Sequence, residues 1–216
     1  MTVERTKRVG VERVIRVLHV SDVHCATGNL VRVLDSEDYD LVLATGDFEC
    51  VDTAEALTRA KADVYAITGN LDNAGVYRKL KSLGILLDGR ITFFEDIIIG
   101  GLGGLDFKGS MEKFKRELSD FETVNVLMTH HPPAGILDEP RPGLHIGLPE
   151  VKDLVERLKP RLHIFGHVHE TPGHVVKGST VHVNAGPLEK GHYAIISYSG
   201  DITVYKRKLA PPTSRA

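Results

Sequence analysis

Cysteine is scarce in this chain: its 216 residues hold two, Cys25 and Cys50. Two are too few for a disulfide framework. An excess of charge of one sign is missing as well, since 27 Lys and Arg face 29 Asp and Glu, for a formal net charge of −2. There is no overall basic field of the kind that drives non-specific nucleic-acid binding, so a nucleic-acid partner is not expected. Long apolar runs are also missing, and the first residues lack the charged-then-apolar pattern of a secretory signal. No membrane partner and a cytoplasmic location are the expectations that follow. Near the start, Arg5, Lys7, Arg8 and Arg13 are interrupted by Glu4 and Glu12, which reads as a flexible, solvated N-terminus over residues 1–13. Residues 209–216, with two prolines and no apolar periodicity, read as a flexible tail. The stretch 14–208 between them is long enough to bury a substantial core as one domain.

What is present is a series of five short polar clusters: Asp22-Val23-His24, Gly46-Asp47, Gly69-Asn70, His130-His131-Pro132-Pro133 and Gly166-His167-Val168-His169. Each follows an apolar, β-branched run that reads as a strand, which puts each cluster at a strand's carboxyl end, where open α/β sheets gather ligands. Together they offer two carboxylates, one amide and four imidazoles. A donor set of oxygen and nitrogen without thiolate suits a pair of divalent metal ions, Mn²⁺, Fe²⁺, Zn²⁺ or Ni²⁺, better than a structural zinc. Both cysteines fall one to three residues past these candidates. Cys25 therefore comes into consideration as a ligand, while the habit of free cysteine to act as a compact hydrophobe favours a partly buried residue beside the site.

Along the chain the pattern predicts strands over residues 14–20, 40–45 and 63–68, alternating with helices over 29–34, from 52 to about 61, and 74–83, the signature of parallel crossover units. Asp52 and Glu55 have the spacing of a capping box. Residues 91–99 read as two short strands and the glycines from Gly100 to Gly104 as a flexible turn. A helix over 111–118 and a strand over 124–129 follow. Pro132, Pro133, Pro140 and Pro142 make the next stretch a long loop over the site. A helix over 149–158 and a strand over 162–165 come after it. Residues 180–183, 192–198 and 201–205 then read as antiparallel strands joined by turns. Two packed mixed sheets with helices outside would accommodate this order.

The clusters D-x-H, G-D, G-N-x-D, a lone His and G-H-x-H, in this order from Asp22 to beyond His169, resemble the calcineurin-like metallophosphoesterases. The proline-rich loop, Gly143-Leu144-His145-Ile146-Gly147 and Gly166-His167-Val168-His169-Glu170 look most like its small prokaryotic, cyclic-nucleotide phosphodiesterase-like subset. The resemblance implies an α/β fold, a four-layer α-β-β-α sandwich. It also implies one metal on Asp22, His24 and His169 and a second on Asn70, His130 and His167, with Asp47 bridging. Asp47 and Asn70 would then be catalytic, and a small phosphate ester, a diester before a monoester, would be attacked by a metal-bridging hydroxide.

Where the family carries G-N-H-D this chain has Leu71, which can neither bind a metal nor carry a proton. Asp72 loses its family partner and is free to cap the following helix. Asn70, His131 and His145 are candidate substrate contacts, His131 because it neighbours a ligand and His145 because it sits in a glycine-flanked loop before a helix. His19, His163, His174, His182 and His192 have no such context and read as structural. Two rival functions stand beside the enzyme. A scaffold that keeps the fold without turnover would be expected to lose ligands, and a nuclease would need a basic face.

Overall fold

The computed structural model describes residues 13–121 and 123–210. The expectation of a flexible N-terminus falls almost wholly outside them, as do residues 211–216 of the tail. At the margins the chain is held. Arg13 pairs with Asp40 and Glu95, the Leu209 N–H donates to the Gly191 carbonyl, and Arg32 donates to the carbonyl of Ala210.

Eleven strands form two sheets among the described residues. The first holds β1 (Ile15–Val20), β2 (Leu41–Ala44), β3 (Asp63–Ala66), β10 (His192–Tyr198) and β11 (Ile202–Lys208) in the order β11-β10-β1-β2-β3. The second holds β4 (Arg90–Phe94), β5 (Ile97–Leu102), β6 (Val126–Thr129), β7 (Leu162–Phe165), β8 (Gly173–Lys177) and β9 (Thr180–Asn184) in the order β4-β5-β6-β7-β9-β8. Strands β1, β2 and β3 are parallel, as are β5, β6, β7 and β9, while antiparallel strands edge both sheets. Helices α1 (Thr27–Ser36), α2 (Val51–Ala56) and α3 (Ala74–Ser82) cover the first sheet, and α4 (Phe107–Glu117) and α5 (Pro149–Leu158) the second.

Strand alternation builds three hydrophobic layers. Ile15, Val17, Leu41 and Leu43 face Val126, Met128, Leu162 and Ile164 between the sheets. Their neighbours Leu18, Val20, Val42 and Ala44 turn outward onto Leu30, Leu34, Val76 and Leu80 of the helices. On the far side Leu127 packs with Phe114, Val151 and Leu154. Burying one such side chain contributes roughly 1.5–3 kcal/mol. The fold is the expected four-layer α-β-β-α sandwich of two mixed sheets.

Several local expectations need correction. The first turn of α2 begins at Val51 with Cys50 before it and no side-chain cap, so Asp52 lies inside the helix and forms no capping box. Gly100 and Gly101 are not a turn; they lie inside β5, where a Cβ would meet Phe114 at 2.6 Å and Leu87 at 2.7 Å. Strand β9 pairs parallel to β7 in the second sheet, and β10 returns to the first, so the last strands are not one antiparallel run. Strand β8 was not foreseen. Its exposed Val175 and Val176 at a sheet edge break the half-buried alternation by which a strand is read.

Candidate metal centre

All five clusters stand at the carboxyl ends of parallel strands: Asp22 and His24 after β1, Asp47 after β2, Asn70 after β3, His130 after β6, and His167 and His169 after β7. The chain turns there through unusual backbone. Asp22, His24, Asp47 and His167 all have φ between 43° and 69°, a left-handed region that costs a non-glycine residue of order 1–3 kcal/mol and clusters at functional sites. Two glycines of the motifs have a packing reason. A Cβ on Gly69 would lie 2.0 Å from Asp47 Oδ1, and one on Gly166 would lie 2.2 Å from Asp22 Oδ2.

These turns bring two donor groups together, Asp22 with His24 and His169, and Asp47 with His130 and His167; within each, the ligand atoms lie within 4.8 Å of one another. His24 Nε2 and His169 Nε2 are 3.1 Å apart, and His169 Nε2 is 3.3 Å from Asp22 Oδ1. In the second group His130 Nε2 is 3.4 Å from Asp47 Oδ2 and 2.8 Å from Asn70 Oδ1. Ligands that each sit about 2.0–2.2 Å from one cation are themselves roughly 3.0–3.5 Å apart at octahedral to tetrahedral angles, close to most of these separations. The imidazoles are also oriented for it. His130 Nδ1 donates to the Thr45 carbonyl at 2.7 Å, and His24 Nδ1 bonds Glu49 Oε1 at 2.8 Å, which leaves each Nε2 lone pair facing the site. The residues present therefore fit a pair of divalent cations.

The carboxylates and imidazoles also shift one another's protonation, and a cation on His130 Nε2 would take the place of a proton. Burial would raise Asp22, yet the His169 hydrogen bond and the charge of His130 bring it down to about 2. Asp47 is likewise held below the usual carboxylate range, by His130 against the effect of burial. His130 is fully buried but rises to about 9 because Asp47 bonds and faces it. The hydrogen bond to Asp22 raises His169, whereas burial and the neighbouring His130 lower His167.

The other candidates divide. His131 joins the cluster by packing: its ring lies 4.7 Å from that of His167 and 5.2 Å from that of His130, with Nδ1 buried and unpartnered. Burial, and then His130, push it down to about 3. His145 bonds Asp138 Oδ1 at 2.8 Å inside the proline-rich loop, and among the described residues no contact joins it to the cluster. Leu71 donates its N–H to Asp47 Oδ1 at 2.8 Å, and its side chain is 55% exposed.

Three participants were not foreseen in their roles. Asp72 does not cap α3, since Asn73 does, accepting from Gly75 and Val76. The Asp72 carboxylate instead accepts from the backbone N–H groups of Asp47, Phe48, Glu49 and Gly69, tying the second and third clusters together. Burial nonetheless raises it to about 6. Glu49 orients His24, a role that no spacing signal marks. Cys25 and Cys50 form a disulfide across Cα atoms 5.2 Å apart, because His24 and Cys25 bond the carbonyls of Asp47 and Phe48 and draw the two loops side by side. Cys25 is thus neither a ligand nor a free hydrophobe.

Comparison with known proteins bears on the fold and the family. Human metallophosphoesterase domain-containing protein 1 is 46% identical over 66 residues, 30% of this chain and 20% of that protein. A Caenorhabditis elegans UPF0046 protein is 44% identical over 69 residues, 32% and 23% of the two chains. The matched stretch thus spans only about a fifth of the length of these curated relatives. Among solved structures, a Thermus thermophilus protein superposes with a TM-score of 0.67 at 17% identity, covering 88% of this chain and 99% of that one. A structure described as a novel archaeal phosphodiesterase gives 0.57 at 15% identity, covering 89% and 100%. Vacuolar protein sorting 29 of Cryptosporidium parvum gives 0.56 at 17%, covering 91% and 92%. Residues 15–200 match the calcineurin-like phosphoesterase superfamily domain, and the chain belongs to that superfamily.

Proposed function

We propose that this domain is a metal-dependent phosphoesterase that takes small phosphodiesters in preference to monoesters. The observation that carries the reading is the pair of converging donor groups, Asp22, His24 and His169 beside Asp47, His130 and His167, with Asn70 Oδ1 at the second. Two divalent cations held there would neutralise a phosphoryl group and acidify a water at neutral pH. The chain's own part is positioning. Asp47 belongs to the second group, its Oδ1 fixed by the Leu71 N–H and its Oδ2 facing His130, and would join the two cations. Asn70 offers a neutral carbonyl oxygen, which leaves more net positive charge for an anionic ester than a carboxylate would. His131 closes the wall behind His167 and His130.

Leu71 decides which esters leave easily. A hydrocarbon beside Asn70 donates no proton, and a missing general acid typically costs about 10²–10⁴-fold on poor leaving groups. Aryl phosphodiesters should be turned over well and alkyl ones poorly, and Leu71→His should flatten that dependence without changing metal content. Rates that are indifferent to the leaving group would contradict this role. The likeness in fold to vacuolar protein sorting 29 favours a second reading, an interaction scaffold with little turnover. The absence of metal-dependent turnover of any ester, in protein shown to hold its metals, would favour the scaffold.

A further inference from the structure

Away from the metal centre, a cavity of about 410 Å³ opens between α5 and the β8–β9 hairpin. That volume lies in the range of small-molecule sites, roughly 300–1,000 Å³. Pro133, Ile136 and Val155 line it with hydrocarbon, and none of the candidate metal ligands takes part. Lys152, Lys159 and Lys177 also line it, against one carboxylate, Glu156. Among the described residues none of the three lysines has an ion-pair partner, so the lining carries an excess of two positive charges.

Ser179 and Thr180 face this cavity too, and so does His182, a residue that is only 1% exposed. Its protonation can be followed along a buried chain. Thr129 Oγ1 gives its single proton to the His131 carbonyl at 2.6 Å, so it accepts from His163 Nε2 at 2.9 Å. His163 Nδ1 is then bare and accepts from His182 Nδ1 at 3.2 Å. Burial, with Lys177 second, brings His182 down to about 4, so its ring is neutral. Its Nε2 is therefore a lone-pair acceptor that no hydrogen bond among the described residues satisfies. It opens to the cavity, where a ligand that reaches it can supply the donor.

We propose that this cavity binds a small organic dianion with an apolar ring and one hydrogen-bond donor, the chemistry of a nucleoside monophosphate. The ring would lie on Ile136 and Val155, the donor on His182 Nε2, and the anion among the three lysines. The site does not depend on the proposed phosphoesterase activity, and its test is separate from it.

The test is calorimetric titration of the full-length, metal-loaded protein with adenosine and uridine monophosphates, with inorganic phosphate as the control. Expected is saturable binding of a nucleotide, tighter than that of phosphate. It should weaken on the order of tenfold in Lys152→Glu/Lys177→Glu, a surface pair whose reversal leaves metal content and basal turnover unchanged. Amide shifts should fall in residues 152–182. His182→Phe should weaken binding too; if that variant does not fold, the lysine variant and the shift map decide. No saturable binding at millimolar nucleotide, equal affinity for phosphate alone, or shifts confined to the loops of Asp22 to Asn70 and indifferent to the lysine reversal would each overturn the proposal.

Discussion

His130 and His163 come from neighbouring parallel strands, one just past the end of β6 and one inside β7, and their imidazoles are pushed in opposite directions. His130 is raised to about 9, because Asp47 outweighs its burial. His163 is lowered well below the ordinary histidine value by burial and by the imidazoles of His182 and His19. The contrast extends to their neighbours. The strand-end histidines meet carboxylates and turn through left-handed backbone at His24 and His167. The interior trio of His19, His163 and His182 meets the hydroxyls of Thr45 and Thr129 and one another. Depth alone therefore does not make a histidine a ligand. What separates the sets is a buried carboxylate within reach and a backbone bent to aim the ring.

The strongest way to break this comparison is to remove the carboxylate. Asp47→Ala should lose both metal binding and activity, by more than the ~10²–10³-fold that follows loss of a single electrostatic contact, because two cations would repel without the charge between them. Metal analysis and turnover of the purified variant check it, and full occupancy would refute the role given to Asp47. Asp72→Asn attacks the backbone instead. It keeps the shape but weakens acceptance from four N–H groups, so metal affinity should fall about 10–100-fold, as for other groups that orient ligands; competition with a chelator measures this.

Cutting the Cys25–Cys50 tether should separate stability from metal binding. The bridge closes a 25-residue separation, for which loop entropy gives about 3.5 kcal/mol. Reduction by a phosphine, or Cys25→Ser, should lower the urea midpoint accordingly and leave metal content nearly unchanged. A large loss of metal would show that the donor groups depend on the tether between the first two loops.

The interior trio sharpens the contrast most gently. His19 and His182 are lowered to about 3 and about 4, both with burial as the leading cause. The unfolded chain takes up protons below pH 6.5 that the folded one refuses, so stability is full above that value and declines as pH falls toward 4. Each histidine contributes up to about 1.4 kcal/mol per pH unit to the decline. Proton NMR should show the three rings unmoved between pH 7.5 and 5, whereas exposed His145, raised by its bond to Asp138, titrates above the ordinary value.

The candidate ligands were legible in the sequence because each lies next to a strand whose apolar run announces itself, so local pattern and chemistry coincide at Asp22, Asp47, Asn70, His130 and His167. The residues that support them were not. Asp72, Glu49 and the cysteine pair act between loops some 25 residues apart, and nothing in the spacing of one chain shows which loops will touch. The same holds for Gly100 and Gly101, which resemble a turn until Phe114 and Leu87 are seen to press on them. It also holds for β9, which pairs with β7 and β8 in the second sheet and not with β10, the strand that follows it.

The proposed activity requires the two donor groups to hold two cations joined by Asp47. Full-length protein loaded with Mn²⁺ and freed of excess metal should hold two ions per chain, and its electron paramagnetic resonance should show them magnetically coupled. One ion per chain, or two that show no coupling, would contradict the account.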